Sequence, residues 1–197
     1  MNAPHMDDLD MQDMQRLANG DEAALNDLME RHGPKLYHYL FRCLQDQEDA
    51  EDLAQETFVK LYQNRDRFDT GRKFSAWLYT IASNLVKDHY RWRSRHPQVS
   101  LDAENDATGE SYRDALPQVG PSPTDHLQAG ERAEAVRRAV AALPEELRLP
   151  LILAEYVQCS HAEIGGILSC SAKAVETRVY RARQRLRSSL SSLLETA

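Results

Sequence analysis

The stretch "SHAEIGGILSCSAKAVETRVYRARQRLR", residues 160–187, reads as two helices joined by a turn. Ser160 and Glu163 form a capping box, with hydroxyl and carboxylate placed to satisfy free backbone donors at a helix start. Ile164, Ile167 and Leu168 then give a short helix an apolar stripe. Ser169 and Cys170 fit a tight turn, and Ser171 can cap a second, longer helix. Gly166 weakens the first helix by about 1 kcal/mol against Ala, and the expectation is that it permits close helix packing. Short helix, brief turn, long helix is the helix-turn-helix plan.

On the longer helix, at about 100° per residue, Val175, Val179, Ala182, Leu186, Leu190 and Leu193 share one face. Lys173, Thr177, Tyr180, Arg181 and Gln184 share the opposite one. That outer face suits a major groove: Arg181 can pair bidentately with guanine, and flanking arginines such as Arg178 can reach phosphates. Five arginines lie between Val175 and Arg187 in a chain of formal net charge -7 and pI near 5.5. A basic run is most often a solvated face, but this one follows a well-capped helix-turn-helix, which favours DNA reading. Counterion release depends on phosphates neutralised locally, so an acidic protein can still bind DNA through one basic face.

Outward from this unit, residues 98–130 break every apolar period and concentrate Pro, Gly, Ser and acid. Asp102, Glu104, Asp106, Glu110, Asp114 and Asp125 face a single base, Arg113, so the stretch reads as a flexible, self-repelling linker. Upstream, apolar residues recur at helical spacing, Asp21 is placed as an N-cap, and Gly33-Pro34 and Asp69-Thr70-Gly71 supply interruptions. No segment alternates long enough for a sheet. The predicted fold is all-α, with two small helical domains, 1–97 and 131–197, joined by the acidic linker 98–130.

The 197 residues suffice for one large or two small domains. With 42% hydrophobic and 28% charged residues, and no apolar run long enough for a membrane span, the composition is that of a soluble protein without membrane insertion. The acidic N-terminus lacks the features of a signal peptide, so a cytoplasmic location is expected. Cys43, Cys159 and Cys170 are too few and scattered for a disulfide framework and read as buried, reduced thiols. Cys159, His161 and Cys170 lack paired zinc spacing and a clear fourth ligand. With no Gly-rich phosphate loop and no nucleophile with its base, no metal, cofactor or catalytic residue is expected.

Two helices upstream carry more than fold. In "DQEDAEDLAQETFVKLYQ", residues 46–63, Ala50, Leu53, Ala54, Thr57, Phe58 and Leu61 form a core stripe. The far face holds Glu48, Asp52, Gln55 and Glu56 with Val59 among them, an apolar residue amid carboxylates that suits protein docking. In "KFSAWLYTIASNLVKDHYRWRSR", residues 73–95, Phe74, Trp77, Leu78, Ile81, Leu85 and Trp92 are expected inward or at the core margin. Tyr79, Ser83, Val86, Lys87 and Tyr90 are expected outward, followed by Arg91, Arg93 and Arg95. Aromatics interleaved with bases suit single-stranded nucleic acid, because rings stack on exposed bases while cations track phosphates.

Taken together, these motifs resemble the extracytoplasmic-function group of sigma factors, within the sigma-70 family of bacterial transcription initiation factors. "DAEDLAQETFVKLY" is similar to the family's polymerase-binding region 2.2, "KFSAWLYTIASNLVKDHYRWR" to regions 2.3 and 2.4, and "ALPEELRLPLILAEYVQCSHAEIGGILSCSAKAVETRVYRARQRLR" to region 4. The resemblance implies docking on the beta-prime clamp, and contact with the beta subunit, of core RNA polymerase, with Asp49, Asp52, Gln55, Glu56 and Val59 on the clamp. It implies capture of a non-template minus-10 base by the loop Asp69, Thr70, Gly71, Arg72, Lys73 and Phe74 together with Asn84. Minus-35 duplex would be read through Lys173, Thr177, Tyr180 and Arg181. It further implies an anti-sigma factor as partner and no bond made or broken by the protein itself. Glu176 departs from the family pattern, where Lys or Arg is common; an acid there repels phosphate but can accept a hydrogen bond from cytosine. A stand-alone helix-turn-helix regulator is the competing reading.

Overall fold

The computed structural model describes residues 6–96 and 123–191, all helices and connecting turns with no strand among them. The first domain comprises α1 (Met6–Ala18), α2 (Ala23–Leu44), α3 (Gln47–Gln63), a single 3-10 turn (Arg65–Arg67) and α4 (Phe74–Arg95). The second comprises α5 (Pro123–Ala141), α6 (Glu145–Glu155), α7 (His161–Leu168) and α8 (Ala172–Ser189). Residues 98–122 of the expected linker, and Leu193 of the expected apolar face, lie outside the described residues. The start of α5 falls inside the stretch expected as linker. Pro123 occupies its first position, where the fixed φ suits a helix and the missing N–H costs nothing.

Gly33-Pro34 does not interrupt the first domain: α2 runs through it. Leu28 and His32 before the proline and Leu36, Tyr39, Leu40 and Cys43 after it lie on one buried stripe, so packing on both sides outweighs the lost hydrogen bond. Asp21 does cap the region, Oδ1 accepting from Ala23 N at 3.1 Å, although the formal N-cap is Glu22. Asp46 caps α3 by accepting from Asp49 N at 3.0 Å, and Gln45 makes the bend before it in the left-handed region, φ 60°. A buried ionic cluster secures α1. Arg31 donates to Asp10 at 2.5 Å and to Asp13 at 2.8 Å, and His32 Nε2 lies 2.8 Å from Asp10. Burial opposes charge on Asp10, but the bonds and charges of His32 and Arg31 outweigh it and hold its pKa below the ordinary value.

In the second domain the capping box forms as expected: Glu163 N donates to Ser160 Oγ, and Glu163 Oε2 accepts from Ser160 N at 2.8 Å. Ser169 adopts φ 57°, and Ser171 caps α8 by accepting from Ala174 N at 3.1 Å. The close approach in this turn belongs to Gly165, not Gly166. A Cβ on Gly165 would stand 2.6 Å from the Cys170 carbonyl oxygen, whereas one on Gly166 would meet nothing within 4 Å. Cys43 is fully buried, while Cys159 and Cys170 are half-buried rather than core.

The domains also pack on one another, α4 against α7 and α2 against α5 and α6. Arg148 of α6 reaches across to the Cys43 carbonyl at 2.8 Å and the Tyr90 hydroxyl at 2.9 Å.

Candidate nucleic-acid interface

Along α8, Val175, Val179 and Ala182 are buried, which turns Lys173, Glu176, Thr177, Tyr180, Arg181 and Gln184 to solvent as the periodicity required. Tyr180 is the most open, at 62% exposure, and its hydroxyl accepts from Gln184 Nε2 at 3.2 Å. Lys173 donates to Glu176 at 2.9 Å, and that bond holds the Glu176 pKa below its ordinary value. The flanking arginines divide. Arg183 is bound to Glu155 of α6 at 2.6 and 3.0 Å, and half-buried Arg178 points to Cys170 Sγ at 3.6 Å. Arg181 stays on the open face, a fork of donors suited to the N7 and O6 edge of guanine.

The polymerase-facing stripe expected on α3 is open. Asp52, Gln55, Glu56 and Val59 are exposed, Val59 at 53%, with Glu56 paired to Lys60 at 3.3 Å. Asp49 is partly turned inward, 3.2 Å from His89 and 3.7 Å from Arg93 of α4.

The face of α4 differs from expectation. Tyr79, Ser83 and Val86, expected outward, are buried, and Trp92, expected inward, is 51% exposed and stacks on His96. Sequence periodicity places a residue on a face without saying how many neighbours that face has, and α4 is covered on two sides. Tyr79 meets Tyr39 edge-on at 5.2 Å between ring centroids, and Ser83 Oγ lies 2.8 Å from the Tyr39 hydroxyl. Burial pushes the Tyr79 hydroxyl up to about 12. The Tyr90 hydroxyl donates to the Cys43 carbonyl and accepts from Arg148.

The loop before α4 is folded on itself: Gly71 N donates to Asp69 Oδ1 at 2.9 Å, and Arg72 lies 3.5 Å from Asp69. Lys73 extends to Glu163 of α7, and Phe74 is buried against His32 at 4.9 Å between centroids. Asn84 is exposed, away from this loop, and lines a cavity of about 370 Å³ with Lys60, Asn64, Arg67, Trp77 and Thr80. Loop and amide therefore belong to separate concavities, since the loop residues line another cavity, of about 160 Å³, with Asp7 and Met11 of α1. Lys60, Asn64 and Arg67 were not singled out in the sequence. The basic cluster around Arg65 and Arg67, immediately before the loop, was the signal available. Half-buried Lys87 shares a shallow recess with Glu145, and Arg91 pairs with Asp88 at 2.8 Å.

Residues 28–96 match the family model of Sigma-70 region 2, and residues 133–186 match Sigma-70, region 4. The chain belongs to the sigma-70 family, as an extracytoplasmic-function sigma factor. The sigma factor SigW of Bacillus subtilis is 35% identical over 181 residues, covering 91% of this chain and 96% of SigW. The sigma-E factor of Escherichia coli K12 is 31% identical over 185 residues, 92% of this chain and 94% of that one. Among solved structures, CnrH in complex with the cytosolic domain of CnrY is 27% identical with a TM-score of 0.65, over 96% of this chain and 99% of CnrH. RpoE of Bartonella quintana, bound to the anti-sigma factor NepR, is 26% identical with a TM-score of 0.64, over 84% and 96% of the two chains. Both family models and the relatives span the two domains, so the sigma-factor reading is favoured over a stand-alone regulator. Among the described residues no helix is long and apolar enough to cross a membrane.

Proposed function

We propose that this sigma factor divides promoter recognition between its domains, α8 reading the minus-35 duplex and the first domain holding an unpaired non-template base of the minus-10 element. The observation that carries the division is the pairing, in one chain, of a solvent-facing recognition helix with a polar, Trp-edged cavity at Asn84. Asn84 offers both a donor and an acceptor to the edge of a base, Trp77 an apolar surface, and Lys60 and Arg67 charge for adjacent phosphates. Holding a base outside the stack offsets part of the cost of opening the duplex, a few kcal/mol per base in order of magnitude.

The exposed stripe of Asp52, Gln55, Glu56 and Val59 supports docking on core polymerase through a basic, partly apolar surface of the beta-prime clamp. An anti-sigma factor is the regulatory partner by likeness to the Bartonella quintana complex. The work is done in the cytoplasm and by binding alone.

The test is run-off transcription by sigma-free core polymerase on a promoter library randomised at both elements. Transcripts that depend on this chain and share a two-part promoter support the proposal. Tight duplex binding with no dependence on polymerase would favour a stand-alone regulator.

A further inference from the structure

The cavity that holds Asn84 is lined along α4 as far as Asp88, and Trp92 stands one turn beyond Asp88 on the same side of the helix. From Asn84 to Trp92 the helix rises about 12 Å. A lone exposed ring is ordinary on a protein surface, but this one is braced and flanked. His96 stacks on one face of the indole, with ring centroids 5.0 Å apart and planes 24° from parallel. The His96 N–H donates to the Trp92 carbonyl at 3.0 Å and Nδ1 lies 3.1 Å from the same oxygen, so the end of α4 itself fixes the imidazole. The other face of the indole is left to solvent.

Arg91 and Arg93, both exposed, lie about 100° to either side of Trp92 around the helix. Their acids, Asp88 at 2.8 Å and Asp49 at 3.7 Å, are surface partners weak enough to be exchanged for phosphate. One unpaired strand needs one row of cations, whereas two arginines astride a flat ring suit the two backbones of a duplex end. A base drawn into the Asn84 cavity deprives the neighbouring pair of its stacking partner, and about 12 Å spans three to four stacked steps of about 3.4 Å. We propose that Trp92, braced by His96, stacks on the last base pair at the edge of the opened segment, with Arg91 and Arg93 reaching phosphates of its two strands. The inference rests on the proposed minus-10 role of the first domain. The indole takes the place of the lost base and opposes re-pairing, and a ring already held in one orientation gives up little freedom on stacking. His96 is a positioning residue, since it touches the indole and not the DNA.

The test titrates the full chain, alone and bound to core polymerase, with three fluorescent DNA probes. The first is a hairpin duplex carrying a single-stranded overhang of random sequence, the second is the overhang strand by itself, and the third is a dumbbell duplex closed at both ends. Only the first presents a base pair at a junction. Trp92→Ala should weaken binding to it about tenfold and change the other two little. Trp92→Phe should keep most of the wild-type affinity, and His96→Ala should fall between. The slope of log affinity against log salt should stay the same in both Trp92 variants, because no charge is removed.

Undiminished junction binding by Trp92→Ala would overturn the proposal. Equal loss on the junction and on the free strand would overturn it too, since the indole would then meet an unpaired base. Loss on all three probes would reduce Trp92 to a support of the fold. Asn84→Ala keeps the two readings apart, because it should weaken the free strand and the junction alike. If that variant changes nothing while Trp92→Ala still weakens the junction selectively, the cavity is removed from the minus-10 reading and the junction contact stands.

Discussion

The backbone N–H of Cys170 donates to the Gly165 carbonyl over 2.9 Å, and the turn drawn together by that bond has no space for a side chain at residue 165. A Cβ there would press on backbone rather than on a side chain that could rotate away. Gly165→Ala should therefore destabilise the second domain by about 2 kcal/mol. Gly166→Ala, with open space and a helical position, should stabilise by up to about 1 kcal/mol. Thermal unfolding of the two variants checks the opposite signs, and equal melting temperatures would show that the turn relaxes freely.

Reversing charge at Asp52 and Glu56 should abolish binding to core polymerase and leave the melting temperature near that of wild type. Both are exposed, and the Glu56–Lys60 pair is a surface contact worth at most about 1 kcal/mol. A binding measurement with core polymerase decides it, and undiminished affinity would remove α3 from the docking surface.

Arg181→Ala should cost about 1–3 kcal/mol of promoter binding and relax one minus-35 position. Arg183→Ala should instead show its effect in folding stability, because Arg183 is already bound to Glu155. Equal loss on every minus-35 sequence would make Arg181 a phosphate contact.

The helix-turn-helix was legible because its signals are local. A capping box, a second cap and a 3.6-residue stripe within 28 residues specify both helices and their outer face. The continuity of α2 through Pro34 was not legible, since a proline reports its own backbone cost and the compensating stripe is packed by distant residues. The inward turn of Tyr79 and Ser83 escaped for the same reason: Tyr39, their partner, is some forty positions away in the chain. The Glu163–Lys73 bond joins residues of different domains, and no periodicity within either could reveal it.

Asp10→Asn should destabilise the first domain by about 2 kcal/mol, because Arg31 would keep only Asp13 as counter-charge and the His32 hydrogen bond would lose its ionised acceptor. Chemical denaturation at neutral pH measures it. A loss within about 0.5 kcal/mol would mean that the Asp10 bonds add little to the packing of Met14 and Leu17 and the remaining ion pairs of α1.

Glu163 gives a pH signature. Its bond to Lys73, then those to Ser160, draw the carboxyl down from 4.5 to about 2. A depressed carboxylate contributes stability that is complete above its unfolded value and is lost as the pH falls through the folded one. The stability difference between wild type and Glu163→Gln should be constant above pH 4.5 and should shrink from there towards pH 2. A difference that grew on acidification would contradict the bond.

The pairing of Lys173 with Glu176 also bears on how the recognition helix responds to salt. A lysine that meets a phosphate ordinarily sets free one condensed cation, and the slope of log affinity against log salt steepens by about one for each such contact. On the proposed minus-35 reading, Lys173 would meet a phosphate with Glu176 beside it, so the pair would add little net charge to that face and Glu176 could accept from a base. Counting the bases on α8 alone would then overstate the ionic-strength sensitivity of the face.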